Sequence, residues 1–152
     1  MRAVRVAIGC DHAGFQLKQI LIPYLRAQGH EVRDYGSDSE TPVDYVDYVV
    51  PLTRAVVRGE HERGIFCCGS GIGPAVAACK IPGARSAVVS EEWSARDGVE
   101  HVDINVLTLG QRVIGPELAK SIVDAYLSAT VQGGRHQRRR EKIAALEGER
   151  VG

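Results

Sequence analysis

Gly64-Ile65-Phe66-Cys67-Cys68-Gly69-Ser70-Gly71-Ile72-Gly73 is a short apolar run that passes directly into glycines at alternate positions. The run predicts a strand buried on both faces, as in a parallel sheet. The glycine loop predicts a turn into a helix reaching about Cys79. Upstream, Val4 to Gly9 reads as a first strand, and apolar Phe15, Leu17, Ile20, Leu21, Tyr24 and Leu25 place a helix over Gly14 to Gln28. Gly29 stops it. His30 to Tyr35 is a second strand, and Tyr45 to Val57 a helix. Downstream, Arg85 to Val89 and Ile104 to Leu109 are strands around a helix over Glu91 to Val99. Pro116 opens a helix to about Ala129, and Gly133-Gly134 precedes a basic helix from Arg135 to about Leu146.

Five alternations of strand and helix predict a doubly wound α/β fold, Rossmann/flavodoxin-like. Its five-stranded parallel sheet carries a C-terminal helical extension, all in a single domain over residues 1–152. Ligands in such sheets bind beyond the carboxyl ends of the strands, where the strand order reverses. In the flavodoxin-like order that point lies between the first and third strands. The loops leaving them are Gly9-Cys10-Asp11-His12-Ala13-Gly14 and the Cys68 glycine loop, the two stretches richest in chemistry.

The bulk numbers narrow the function. The chain has 152 residues, 44% hydrophobic and 25% charged, and its 19 basic side chains cancel its 19 acidic ones. No global field recruits nucleic acid or an anionic membrane. No stretch is long and apolar enough to span a bilayer, and the first residues lack a signal-peptide pattern. Cys10, Cys67, Cys68 and Cys79 have no metal-type spacing and read as free thiols of a reducing cytoplasm. No metal site is expected. The cationic run Arg135, Arg138, Arg139, Arg140 and Lys142 is by itself an ordinary solvated face.

Cys68 stands at a strand end just before a helix N-terminus, where backbone N–H groups favour a thiolate. Its neighbour Cys67 faces the other way and, with Cys10 and Cys79, is assigned to packing. The glycine spacing is neither that of a dinucleotide site nor of a Walker loop, and alone is equally explained by tight turn packing. Asp11 and His12 either cap the next helix or contact a substrate hydroxyl and an anion. A cysteine phosphatase needs an arginine six residues after the nucleophile. Pro74 and Gly73 stand at that spacing from Cys68 and Cys67, so that reading fails.

Gly9-Cys10-Asp11-His12-Ala13-Gly14-Phe15, Cys68 to Gly73, Asn105-Val106-Leu107 with Gly110-Gln111-Arg112, and Gly133-Gly134-Arg135-His136-Gln137 together resemble the type B ribose-5-phosphate isomerases, relatives of the galactose-6-phosphate isomerases. The resemblance is collinear from about Arg5 to Leu146. It implies an aldose–ketose isomerase working through a cis-enediolate, without metal or cofactor. Cys68 matches the base between the first and second carbons. The amides of Gly69, Ser70, Gly71, Ile72 and Gly73, with the Ser70 hydroxyl, match the enediolate hole. His101 matches the ring-opening acid, and Asp11 and Tyr45 match sugar-hydroxyl contacts. His12, Arg112, Arg135 and Arg139 match phosphate contacts, the last two reaching across a homodimer interface. That implies a dimer, or a tetramer of paired dimers, with the site at the subunit boundary. Arg138 and Arg140 remain solvated charge.

The chain departs from the family where His101-Val102-Asp103 replaces His-Asn-Asp, Cys79-Lys80 replaces Asn-Lys, and Val46 replaces a proline. Val102 removes an amide from the sugar site. Ribose 5-phosphate leads, beside a four- or six-carbon sugar phosphate such as allose 6-phosphate or galactose 6-phosphate. A non-catalytic phosphometabolite-binding module and a thiol hydrolase using Cys68 and His101 are remoter readings.

Overall fold

The computed structural model describes residues 2–149. β1 (Arg5–Cys10) leads through a 3-10 turn at His12–Gly14 into α1 (Phe15–Ala27), followed by β2 (Glu31–Asp34) and α2 (Tyr45–Val57). β3 (Arg63–Cys68), α3 (Ile72–Cys79), β4 (Ser86–Val88), α4 (Glu92–Val102) and β5 (Val106–Gly110) come next. α5 (Pro116–Ser128) and α6 (Arg135–Ala145) complete the chain with a 3-10 turn at Leu146–Gly148.

The five strands form one sheet in the order β2-β1-β3-β5-β4, and every neighbouring pair is parallel. The doubly wound α/β class and the reversal between β1 and β3 stand as expected. The outer two strands differ from the flavodoxin-like order, because β5 takes the inner place and β4 the edge. Burial explains the exchange: every residue of β5 is buried, whereas Ser86, Ala87 and Val88 are half-buried or exposed. The fully apolar strand takes the position covered on both faces.

Two apolar layers sandwich the sheet. Val6, Ile8, Ile65, Cys67, Leu107 and Leu109 pack against Leu17, Leu21 and Leu25 of α1, Val99 of α4 and Ile122, Val123 and Tyr126 of α5. On the other face Ala7, Phe66, Cys68 and Val106 meet Val49, Leu52 and Val56 of α2 and Ala78 of α3. The pleat therefore separates the adjacent cysteines, Cys67 into one core and Cys68 toward the other.

Cys10 and Cys67 are buried as expected, but Cys79 is exposed at the end of α3. Ala75 and Ala78 take the core side of that helix, four residues and one residue before it. α4 runs past Val99 to Val102 and ends at Asp103, which adopts a left-handed φ of 54° and returns its N–H to Val99. His101 is thus in the last helical turn. Arg140 is not free solvated charge, since its guanidinium donates to the His101 carbonyl at 3.1 Å. Among the described residues, no helix is long and apolar enough to cross a membrane.

Candidate active site

β1 and β3 end side by side, with Cys10 opposite Cys67, and Cys68 pairs with Gly110 of β5. The loops leaving these three strands enclose a crevice lined by Asp11, His12, Tyr45, Cys68, Ser70 and Arg112, among others. The inner placement of β5 is what brings Arg112 there. Its N–H donates to the Gly69 carbonyl at 3.0 Å, and Gln111 N–H donates to the Cys68 carbonyl at 2.8 Å. Gln111 Oε1 also accepts from Leu17 N–H at 2.9 Å, tying α1 to the same turn.

The glycine loop turns at Gly71, whose φ of 82° lies in the left-handed region. Its carbonyl accepts from the buried Thr108 hydroxyl at 2.6 Å. Cys68 Sγ accepts from Gly71 N–H at 3.0 Å, and Ser70 Oγ accepts from Ile72 N–H at 3.2 Å. The first contact directs a backbone dipole at the sulfur. The amides of Gly71 and Ile72 are therefore engaged within the loop. Those of Gly69, Ser70 and Gly73 have no acceptor among the described residues.

Asp11 serves as a cap. Its Oδ1 accepts from Ala13 N–H at 2.9 Å and Gly14 N–H at 3.1 Å, while Oδ2 has no partner among the described residues. Capping and facing the crevice are compatible, because a carboxylate has two oxygens. His12 Nδ1 accepts from Val43 N–H at 3.1 Å. The neutral ring then carries its proton on Nε2, leaving a donor for an anion. Tyr45 begins α2, its ring against Gly73, where an added Cβ would come 2.4 Å from Cζ. Burial pushes the Cys67 thiol well above the usual range, and Cys10 is raised for the same reason.

His101, Arg135 and Arg139 do not line this crevice. His101 stacks on His136 where α4 packs against α6, and both arginines are exposed on α6. Val102, half-buried, packs against the core of the α1, α4 and α5 face. Among the described residues no group of three or more His, Cys, Asp or Glu side chains is placed to hold a metal ion. Sequence reasoning missed Thr108, Gln111 and the Val43 amide. Thr108, a threonine in an otherwise apolar buried strand, and Gln111, inside the Gly110-Gln111-Arg112 motif, carried signals; a backbone donor leaves none.

Comparison with known proteins identifies relatives of this chain. The sequence profile described as Ribose/Galactose Isomerase matches residues 6–143. Ribose-5-phosphate isomerase B of Escherichia coli is 48% identical over 143 residues, 94% of this chain and 96% of that protein. D-erythrulose-4-phosphate isomerase of Pectobacterium atrosepticum is 41% identical over 144 residues, 93% of this chain and 94% of its own. Among solved structures, ribose-5-phosphate isomerase B of Clostridium thermocellum superposes with a TM-score of 0.92 at 45% identity, covering 94% of this chain and 97% of that one. The Mycoplasma genitalium enzyme, solved with bound ribulose-5-phosphate, gives 0.91 at 34% identity, covering 96% and 97%. The chain belongs to the ribose/galactose isomerase family of sugar-phosphate isomerases.

Proposed function

We propose that the protein interconverts ribose 5-phosphate and ribulose 5-phosphate through a cis-enediolate, with Cys68 as the base. The observation that carries this reading is the Cys68 sulfur, held by Gly71 N–H at 3.0 Å in a crevice where the Gly69, Ser70 and Gly73 amides lack acceptors. The thiolate takes a proton from the carbon beside the carbonyl and returns it to the former carbonyl carbon, while the hydroxyl proton passes from the second-carbon oxygen to the first-carbon oxygen of the enediolate. The oxygen that gains charge meets preorganised N–H donors, each worth about 10²–10³-fold in rate in comparable sites. Asp11 and Tyr45 hold sugar hydroxyls, His12 Nε2–H and Arg112 hold the phosphate, and the Ser70 hydroxyl completes the hole. His101 opens the furanose ring. No metal or cofactor enters.

His101, Arg135 and Arg139 lie outside the Cys68 crevice, so this reading has them complete the crevice of a second copy in a homodimer. Exposed apolar side chains support such a contact: Val113 at the crevice, Ile72 and Val76 on α3, and Trp93 on α4.

A second reading keeps the chemistry and changes the sugar. It is favoured by the relative whose substrate is a four-carbon ketose phosphate and by Val102, which packs on the core and offers no amide to a sugar. A panel of aldose and ketose phosphates, assayed with chelator present, decides between them. Ribose 5-phosphate is expected to give the highest kcat/KM, and a four-carbon optimum would transfer the assignment. Cys68→Ala is expected to lower turnover at least ~10³-fold at unchanged melting temperature; retained turnover would remove Cys68 as the base.

A further inference from the structure

His101 is held from three directions. Its Nδ1 lies 2.7 Å from Oδ1 of Asp97, one helical turn earlier on α4. Two lone pairs would repel at that separation, so Nδ1 carries a proton. From α6, the His136 ring stacks on it with centroids 3.8 Å apart and planes 5° from parallel. Arg140, one turn beyond His136, fixes the His101 carbonyl at 3.1 Å. Nε2 is left without a partner among the described residues.

The two stacked rings are not equivalent. His136 is buried, and desolvation, then His101 and the Arg135, Arg139 and Arg140 guanidinium groups, hold it below the usual histidine range. Asp97 is the carboxylate that faces His101 from its own helix.

We propose that Asp97 and His136 are positioning residues for His101, Asp97 accepting from Nδ1–H so that Nε2 faces substrate and the doubly protonated ring returns to its Nδ1–H tautomer on giving up the Nε2 proton, and His136 fixing the plane of the ring. This rests on the reading of His101 as the ring-opening acid. In that step Nε2–H gives its proton to the ring oxygen, whose bond to the first carbon breaks. The anomeric hydroxyl loses its proton to water as the carbonyl forms, and solvent reprotonates the imidazole.

The test compares two measurements on the dimer-competent full chain. Ribose 5-phosphate turnover begins from a closed ring. Exchange of the first-carbon protons of ribulose 5-phosphate with deuterium oxide needs no ring step, because its fifth hydroxyl carries the phosphate and the ketose stays open. Asp97→Asn is expected to lower kcat on ribose 5-phosphate about ten- to hundredfold, a part of the ~10²–10⁴-fold a general acid supplies, with KM and the exchange rate within about twofold of the parent. His136→Ala is expected to act the same way and His136→Phe, which restores a flat ring, to recover most of the loss. Nitrogen NMR should report Nδ1 protonation at His101 in the parent and its loss in Asp97→Leu. If turnover and exchange fall together, Asp97 is structural and the proposal is overturned. It is also overturned if Asp97→Asn changes neither while His101→Asn stops ribose 5-phosphate turnover. If His101→Asn itself retains full turnover, the acid reading fails and takes the proposal with it.

Discussion

Replacing Gly73 with alanine separates activity from stability. Gly73 is the second residue of α3 and does not have positive φ, so alanine meets no backbone strain there. Helix propensity favours alanine over glycine by up to ~1 kcal/mol. The obstacle is Tyr45: the new Cβ would stand 2.4 Å from Cζ and 2.5 Å from the hydroxyl oxygen. Ordinary contact begins at 3.4 Å, so the tip of the ring must retreat by 3.4 − 2.4 = 1.0 Å. It has room, because Tyr45 is half-buried and borders the crevice. With Tyr45 holding a sugar hydroxyl as proposed above, a displacement of this size costs up to ~10²-fold, or ~2.7 kcal/mol of barrier. We expect Gly73→Ala to lower kcat/KM ten- to hundredfold, within that ~10²-fold limit, while the melting temperature moves by no more than ~3 °C. Gly14→Ala is the control, since its Cβ would fall 2.1 Å from the Cys67 carbonyl oxygen, backbone of a central strand that cannot step aside. That variant is expected to lose at least ~3 kcal/mol of stability. Steady-state isomerisation and thermal melting of both variants provide the readout. Full kcat/KM in Gly73→Ala, or a melting loss as large as that of Gly14→Ala, would refute the reasoning.

Three further outcomes follow from burial and charge. A thiol reagent should label exposed Cys79 first and Cys68 more slowly, with substrate protecting Cys68; Cys10 and Cys67, at 0% exposure, should react only in denaturant. Labelling of Cys68 that substrate does not slow would place substrate elsewhere. His30 is buried, accepts from Val4 N–H at 3.1 Å through Nδ1, and is held below the usual histidine range by desolvation. The unfolded chain therefore binds that proton more readily, so the contribution of His30 is present above about pH 6.5 and lost as pH falls below it. The urea midpoint should drop from pH 7.5 to 5, and His30→Gln should drop less; equal drops would exclude His30 as a source. Lys18 Nζ, fully buried, donates to Asp34 at 2.8 and 3.0 Å and to the Ser37 carbonyl, while the Asp34 side chain is 37% exposed. Asp34→Ala strands a buried ammonium and should cost ~3–5 kcal/mol, more than Lys18→Met, which strands a carboxylate that water still reaches. The reverse order in urea midpoints would contradict that assignment of burial.

Most element boundaries follow from apolar spacing, because a sheet covered on both faces and helices covered on one leave different periods in the chain. The end of α4 does not. Val102, three residues after Val99, packs on the same core, but the stop is made by Asp103, which accepts a left-handed φ usually left to glycine, and the helix keeps His101 within hydrogen-bonding reach of Asp97. Strand order is written more faintly, in the contrast between a uniformly apolar β5 and a half-exposed β4. That contrast also decides the site. With β4 inside, Gly110 would not pair with Cys68, and Arg112 would leave the glycine loop.

The adjacent cysteines show how much chemistry a single pleat can carry. Cys67 and Cys68 have the same side chain, one bond apart in sequence. The alternation of β3 sends Cys67 under α1 and α5, where burial raises its thiol and suppresses reactivity. The next residue reaches the strand end on the other face, where the loop turns at Gly71 and directs an N–H at its sulfur from 3.0 Å. A one-residue slip of β3 would exchange the two roles. Register is held by the apolar side chains of two separate cores, so the packing that stabilises the sheet also selects which thiol meets the crevice.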